Sequence, residues 1–182
     1  RKYTVRTINV AKARIRAKRL SGREAVRALQ GYRHYSGNGP NADRIKERHA
    51  IPWSLVAGES VYDQTVELDS AHDTSQPIEI DWDEVLGRTK ARGLLFVSIE
   101  ADPKPGMESY YAQKKITQVL MQLTDIGLAW KINEESAFLY VYSCQTGKPL
   151  ANVQLDVFGE DAEAMQSART SQEGVARLPR SA

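Results

Sequence analysis

The stretch from Leu139 to Leu178 constrains the fold more tightly than any other part of the sequence. Apolar and polar residues alternate through Leu139-Tyr-Val-Tyr-Ser143, break at Thr146-Gly-Lys-Pro-Leu150 and resume through Val153-Gln-Leu-Asp-Val-Phe158. After a loop, Thr170-Ser-Gln-Glu-Gly174 leads into Val175-Ala-Arg-Leu178. A period of two sends successive side chains to opposite faces, the signature of a half-buried strand. Gly147 and Gly174 suit corners that need a positive φ, and Pro149 presets the exit from the first of them. The pattern predicts strand, tight turn, strand, loop, turn, strand: the skeleton of a small antiparallel β-sandwich.

The 182 residues are enough for one large or two small domains. The character of the sequence changes near Thr124, which predicts domains over 1–123 and 124–182. Hydrophobic residues make up 41% and charged residues 26%, as in ordinary globular proteins. Twenty-five Lys and Arg against 23 Asp and Glu leave a net charge of +2, too little for an overall field that would gather acidic partners. No apolar run approaches the roughly 18 residues that would mark a membrane-spanning helix. The start at Arg1 and the stop just after a strand-like segment suggest a piece of a longer protein, so the missing targeting signals say nothing about location.

From Tyr3 to Leu20 the alternation continues, with Ala11, Ala13, Ile15 and Ala17 on one face and Lys12, Arg14, Arg16 and Lys18 on the other. The reading is one half-buried strand at a sheet edge, its wet face basic, where lysine and arginine discourage pairing with other chains. Ser21 and Glu24 have capping-box spacing for a short helix ending at Gly31, and Ser36 to Asn41 is a loop. Strands are predicted over Val61–Leu68, Ile78–Ile80, Gly93–Glu100 and Ile116–Leu123, a helical turn over Asp83–Leu86 and a surface loop over Asp102–Gly106.

Chemistry-bearing constellations are missing from the pattern. His34, His49 and His72 lack the paired spacing of metal sites. Asp81, Asp83 and Glu84 flank Trp82, but Gly87 falls too late for a calcium loop. Asn38 between two glycines lacks the Lys and Ser/Thr of a phosphate loop, and no serine sits in a Gly-x-Ser-x-Gly turn. The expectation is no enzyme and no catalytic, cofactor-binding or metal residue. The single Cys144 excludes an internal disulfide and reads as a small, half-buried strand residue.

Three segments carry a resemblance. Thr124-Asp-Ile-Gly-Leu-Ala-Trp-Lys131, Thr146-Gly-Lys-Pro-Leu-Ala-Asn-Val153 and Thr170-Ser-Gln-Glu-Gly174 resemble the entry strand, the Gly-Lys-Pro turn and the Thr-Asp-x-x-Gly turn of bacterial alpha-2-macroglobulin domains. Ser171 stands where Asp is usual, and it can make a similar side-chain-to-backbone turn bond. The resemblance implies a mainly β chain of two macroglobulin-type antiparallel β-sandwich domains, the first with a short helix and the second truncated. Such proteins are protease traps, in which a cut bait region exposes a Cys-x-Glu-Gln thioester that holds the attacker. Cys144-Gln145-Thr146-Gly147 does not match that motif, so bait and thioester are expected outside these residues. The implied partners are target proteases, through the parent protein, and neighbouring macroglobulin domains; the implied location is the periplasm, by a lipid anchor on the inner membrane. No nucleic acid is expected. The competing reading is an adhesin-like or nucleic-acid-binding sandwich that uses the basic N-terminal strand, with Tyr3, Tyr32 and Tyr35 available to stack on bases.

Overall fold

The computed structural model describes residues 2–20, 25, 50–69, 71–87, 92–107, 115–159 and 163–179. The chain divides into two compact units, Arg1–Leu123 and Thr124–Ala182. The helix expected from Ser21 to Gly31 and the loop at Ser36–Asn41 lie outside the described residues except for Ala25, which is helical.

The first unit is a two-layer β structure. Strands β1 (Lys2–Ile8) and β4 (Ser75–Asp81) form an antiparallel ribbon. Strands β2 (Val10–Leu20), β3 (Glu59–Glu67), β5 (Gly93–Pro103) and β6 (Lys115–Leu123) form an antiparallel sheet in the order β3-β2-β5-β6. Ala13, Ile15 and Ala17 share a face with Leu95, Val97 and Ile99, and pack there with Ile78, Ile80 and Trp82. Each large apolar side chain closed away between these layers contributes about 1.5–3 kcal/mol. Helix α1 (Trp82–Leu86) follows β4 directly, with the Asp81 carboxylate accepting from the Asp83 N–H at 2.9 Å as its N-cap. The expected acidic turn is therefore a capped helical turn whose first residue, Trp82, is core.

Two expectations for the N-terminal segment are corrected. It is two strands, because Asn9 takes φ 56° and turns the chain out of one layer into the other. Asparagine tolerates that conformation, and its side chain is locked: Nδ2 donates to Asp73 Oδ1 at 2.6 Å, while Oδ1 accepts from the Asp73 N–H at 2.7 Å. Nor is β2 an edge strand; it lies between β3 and β5 and pairs with both. At the other end of the sheet β5 runs on to Pro103, opposite Val10, so the expected loop begins only at Lys104. A proline is tolerated there because the ladder ends with it.

The second unit has a three-stranded antiparallel sheet, β11-β8-β7, and a two-stranded one, β10-β9. Its strands are β7 (Ile126–Ile132), β8 (Ser136–Ser143), β9 (Gln154–Phe158), β10 (Ala164–Arg169) and β11 (Val175–Pro179). The predicted strands and turns are in place, with Gly147 at φ 68° and Gly174 at φ 73°. A Cβ on Gly174 would also lie 2.5 Å from the Val141 carbonyl oxygen, so this corner needs glycine twice over. Strand β10 replaces part of the predicted loop: Ala164-Met-Gln-Ser-Ala-Arg169 lacks β-branched residues, and its pairing with β9 supplies what propensity does not.

Candidate functional site

The basic row of β2 is answered by carboxylates on the strands at either side. Arg14 donates from Nε to Asp63 Oδ1 at 2.9 Å and from Nη2 to Oδ2 at 2.7 Å, a bidentate pair across to β3. Arg16 donates to Glu100 on β5, with only 12% of its side chain exposed. Lys12 Nζ lies 3.7 Å from Glu67 on β3. Antiparallel pairing puts these groups on one face within diagonal reach of each other. The hydrogen bond from Arg14 holds the Asp63 carboxyl below its ordinary range, and the same bond raises Arg14. Burial, followed by repulsion from Arg14, lowers Arg16.

The upper half of the same face is covered. The Gln118 side-chain amide on β6 clamps the backbone of Ile51, accepting from its N–H and donating to its carbonyl, both at 2.8 Å. The following 3-10 turn, Trp53–Leu55, lays the Trp53 indole over the Arg16 guanidinium at 4.5 Å and beside the Phe96 ring at 6.3 Å. Lys18 Nζ donates to the carbonyls of Trp53 at 3.2 Å and Val56 at 2.5 Å. Ile51, Val56, Leu20 and Phe96 form a second small core beneath. The expected wet basic face is thus an ion-paired and partly roofed one. Its acidic partners were visible in the sequence as Asp63-Gln-Thr-Val-Glu67 and Glu100, but the pairing needed β2 in the middle of the sheet.

In the second unit the entry segment and the first turn are one hydrogen-bonded unit. Asp125 accepts from Ser143 Oγ at 2.8 Å and from the Gln145 N–H at 2.9 Å, while its backbone carbonyl accepts from the Cys144 N–H at 2.7 Å. Thr124 Oγ1 accepts from the Ile126 N–H at 2.9 Å. A Cβ on Gly127 would meet the Tyr142 ring at 2.5 Å, so the glycine makes room for that ring. Thr124, Asp125 and Gly127 thus each have a structural task. Ser171 does what was expected of it, accepting from the Glu173 N–H at 3.2 Å and donating to its carboxylate at 2.8 Å. The hydroxyl bond holds Glu173 below its ordinary range. Cys144 departs from expectation: β8 ends at Ser143, and the cysteine is exposed in the turn that follows.

Among the described residues no group of three or more His, Cys, Asp or Glu is placed to hold a metal. His34 and His49 lie outside those residues, as do Asn38, Tyr32 and Tyr35. His72 sits with Nδ1 3.2 Å from the Asp73 carboxylate, at the surface. No described helix is long and apolar enough to cross a membrane.

No family model matches this chain, and no sequence among the curated proteins does. Solved structures do. Native alpha-2-macroglobulin from Escherichia coli spanning domains NIE-MG1 superposes with a TM-score of 0.68 at 12% identity, over 98% of this chain and 78% of that one. The longer piece spanning MG0-NIE-MG1 gives 0.66 at 13% identity, over 98% of this chain and 51% of that one. Salmonella alpha-2-macroglobulin reacted with methylamine gives 0.58 at 13%, and there this chain spans only 9% of the partner's length. At such identities the likeness is one of fold, and it extends through both units. The fold implied by Thr124–Lys131 and the two glycine turns is the fold observed: this chain is built like the NIE-MG1 region of the bacterial alpha-2-macroglobulins.

Proposed function

We propose that these two units are structural domains of a cell-envelope protease trap of the alpha-2-macroglobulin kind, with bait region and thioester elsewhere in the parent protein. The observation that carries this is the fold match over 98% of the chain. It is supported by what the side chains do. The side chains of Thr124, Asp125, Thr146, Ser171 and Glu173 are spent on turns, and the charged row of β2 on its neighbours. A scaffold that positions other parts needs rigid layers and tight corners, and no reacting group of its own. In this reading the chain is not an enzyme, the second sandwich is incomplete within these residues, and the parent resides in the periplasm on a lipid anchor. Its partners are target proteases and adjoining macroglobulin domains. One solved relative is the trypsin-activated form of the Escherichia coli protein, which matches a parent that responds to proteolysis.

The test is made on the parent protein. Trypsin added to it is expected to end in a covalent trypsin adduct that survives denaturing electrophoresis and is lost after pretreatment with methylamine. A parent that is cut without retaining trypsin contradicts the proposal. The nucleic-acid reading makes the opposite demand on β2: salt-sensitive binding of single-stranded DNA. The carboxylates beside Arg14 and Arg16 favour no binding even at low salt.

A further inference from the structure

The four-stranded sheet of the first unit ends in two unlike edges. At one end, β3 carries Glu59, Asp63 and Glu67, and its ladder with β2 shifts register between Ala17 and Lys18. Charge and a bulge are the usual devices that keep a sheet edge from pairing with another chain. At the other end, β6 has neither. Ile116-Thr-Gln-Val-Leu-Met-Gln-Leu123 contains no charge, no proline and no glycine, and β6 pairs with β5 through nine successive residues without a shift. Among the described residues, the backbone of Ile116–Leu123 makes no hydrogen bond outside that ladder. Its apolar side chains are only partly covered: Ile116 is exposed, and Val119, Leu120 and Met121 are half-buried against the two cores of the unit.

We propose that the β6 edge is a self-association surface, on which β6 of a second copy of this chain pairs antiparallel about a two-fold axis at Leu120. That register sets like against like. Leu120 faces its own counterpart and Gln118 faces Gln122 on the outer face of the sheet, while Val119 faces Met121 and Thr117 faces Leu123 on the core face. Moving the axis to Val119 sets Gln118 against Leu120 and Ile116 against Gln122, mixing polar with apolar. Two features favour a second copy as the occupant. An uncharged strand meets an equally uncharged partner in itself, so pairing strands no charge between the copies. The contact is also isologous and closes after two copies. It joins two four-stranded sheets and leaves a charged, bulged β3 at each outer edge, where further addition stops.

The experiment is sedimentation velocity of the 182-residue chain from micromolar to millimolar concentration, with three variants. The chain is expected to pass from monomer to dimer and no further. Gln122→Lys places a guard on the edge at an exposed side chain that makes no hydrogen bond. It is expected to keep the unfolding midpoint of the dilute chain and to weaken the dimer about tenfold or more. Trp130→Lys changes the exposed apolar row of β7 instead, and is expected to leave the dimer as it was. Register is read by cross-linking in a Cys144→Ser background. Directly opposed residues of an antiparallel pair have Cα atoms about 4.5–5.5 Å apart, within disulfide reach, so Leu120→Cys is expected to give a covalent dimer on mild oxidation and Val119→Cys is not. A monomer at every concentration overturns the proposal, as does assembly beyond the dimer. So does a dimer that survives Gln122→Lys or is lost with Trp130→Lys, because another surface is then in use, and so does cross-linking through Val119→Cys in place of Leu120→Cys. None of these readouts depends on protease capture.

Discussion

Strands β2 and β7 are written in nearly the same script and meet opposite fates. Each alternates, β2 with Ala13, Ile15 and Ala17 on one face and β7 with Leu128, Trp130 and Ile132. In β2 the three apolar residues are completely buried and the intervening arginines are paired. In β7 all three apolar residues are exposed. Alternation fixes which residues share a face; it does not fix whether anything covers that face. The covering comes from neighbours, β3 and β5 with the β1-β4 layer in one case, and, among the described strands, β8 alone pairs with β7 in the other.

The largest effect expected from this contrast is at Ile15. Ile15→Ala empties space at the centre of the first core, and urea unfolding should show a loss of about 2–5 kcal/mol. Next is Gly174→Ala, which combines a positive φ with a Cβ against backbone; about 2–3 kcal/mol is expected, and a milder loss means that the turn can shift. Glu100→Gln should cost about 2 kcal/mol. That is less than the 3–5 of a fully buried pair, because Glu100 keeps 19% of its side chain exposed. The smallest is Trp130→Ala in the 182-residue chain, expected to stay within about 0.5 kcal/mol despite the size of the indole removed. A loss there as large as that at Ile15 would abolish the contrast between the two strands.

Titration sharpens the comparison further. Asp63 is held below its ordinary carboxylate range by its bond from Arg14. Its contribution to stability is therefore complete above the unfolded-state value of about 3.9, and is lost as pH falls through the depressed folded value. Asp63→Asn should remove that part of the acid sensitivity, seen as a flatter dependence of the urea midpoint below about pH 4. An unchanged acid limb would mean that Arg14 and Asp63 are not coupled in solution.

Much of the second unit was legible because its corners are chemically specified. Gly147, Pro149 and Gly174 admit few backbone paths, and the strands between them follow. Strand β10 was not legible, since Ala164, Ser167 and Ala168 have no preference for extended backbone and the strand exists through β9. In the first unit Asn9 hid a corner inside an unbroken period of two, and only its exchange of bonds with Asp73, distant in sequence, reveals it. The basic row was misplaced for a related reason. Lys and Arg at alternate positions describe a protected edge and an ion-paired centre equally well, and the choice depends on where Asp63 and Glu100 fall in the register. Cys144 was assigned to a strand because the alternation before it gives no sign of stopping, whereas the carboxylate that ends it belongs to Asp125.

The most direct test of the account is strand-resolved amide exchange on the 182-residue chain at low concentration. It should find β2 and β5 exchanging only through global unfolding of their unit, and β7 exchanging through much cheaper local opening. Protection of β7 as strong as that of β2 would contradict the picture of one closed layer structure and one left open.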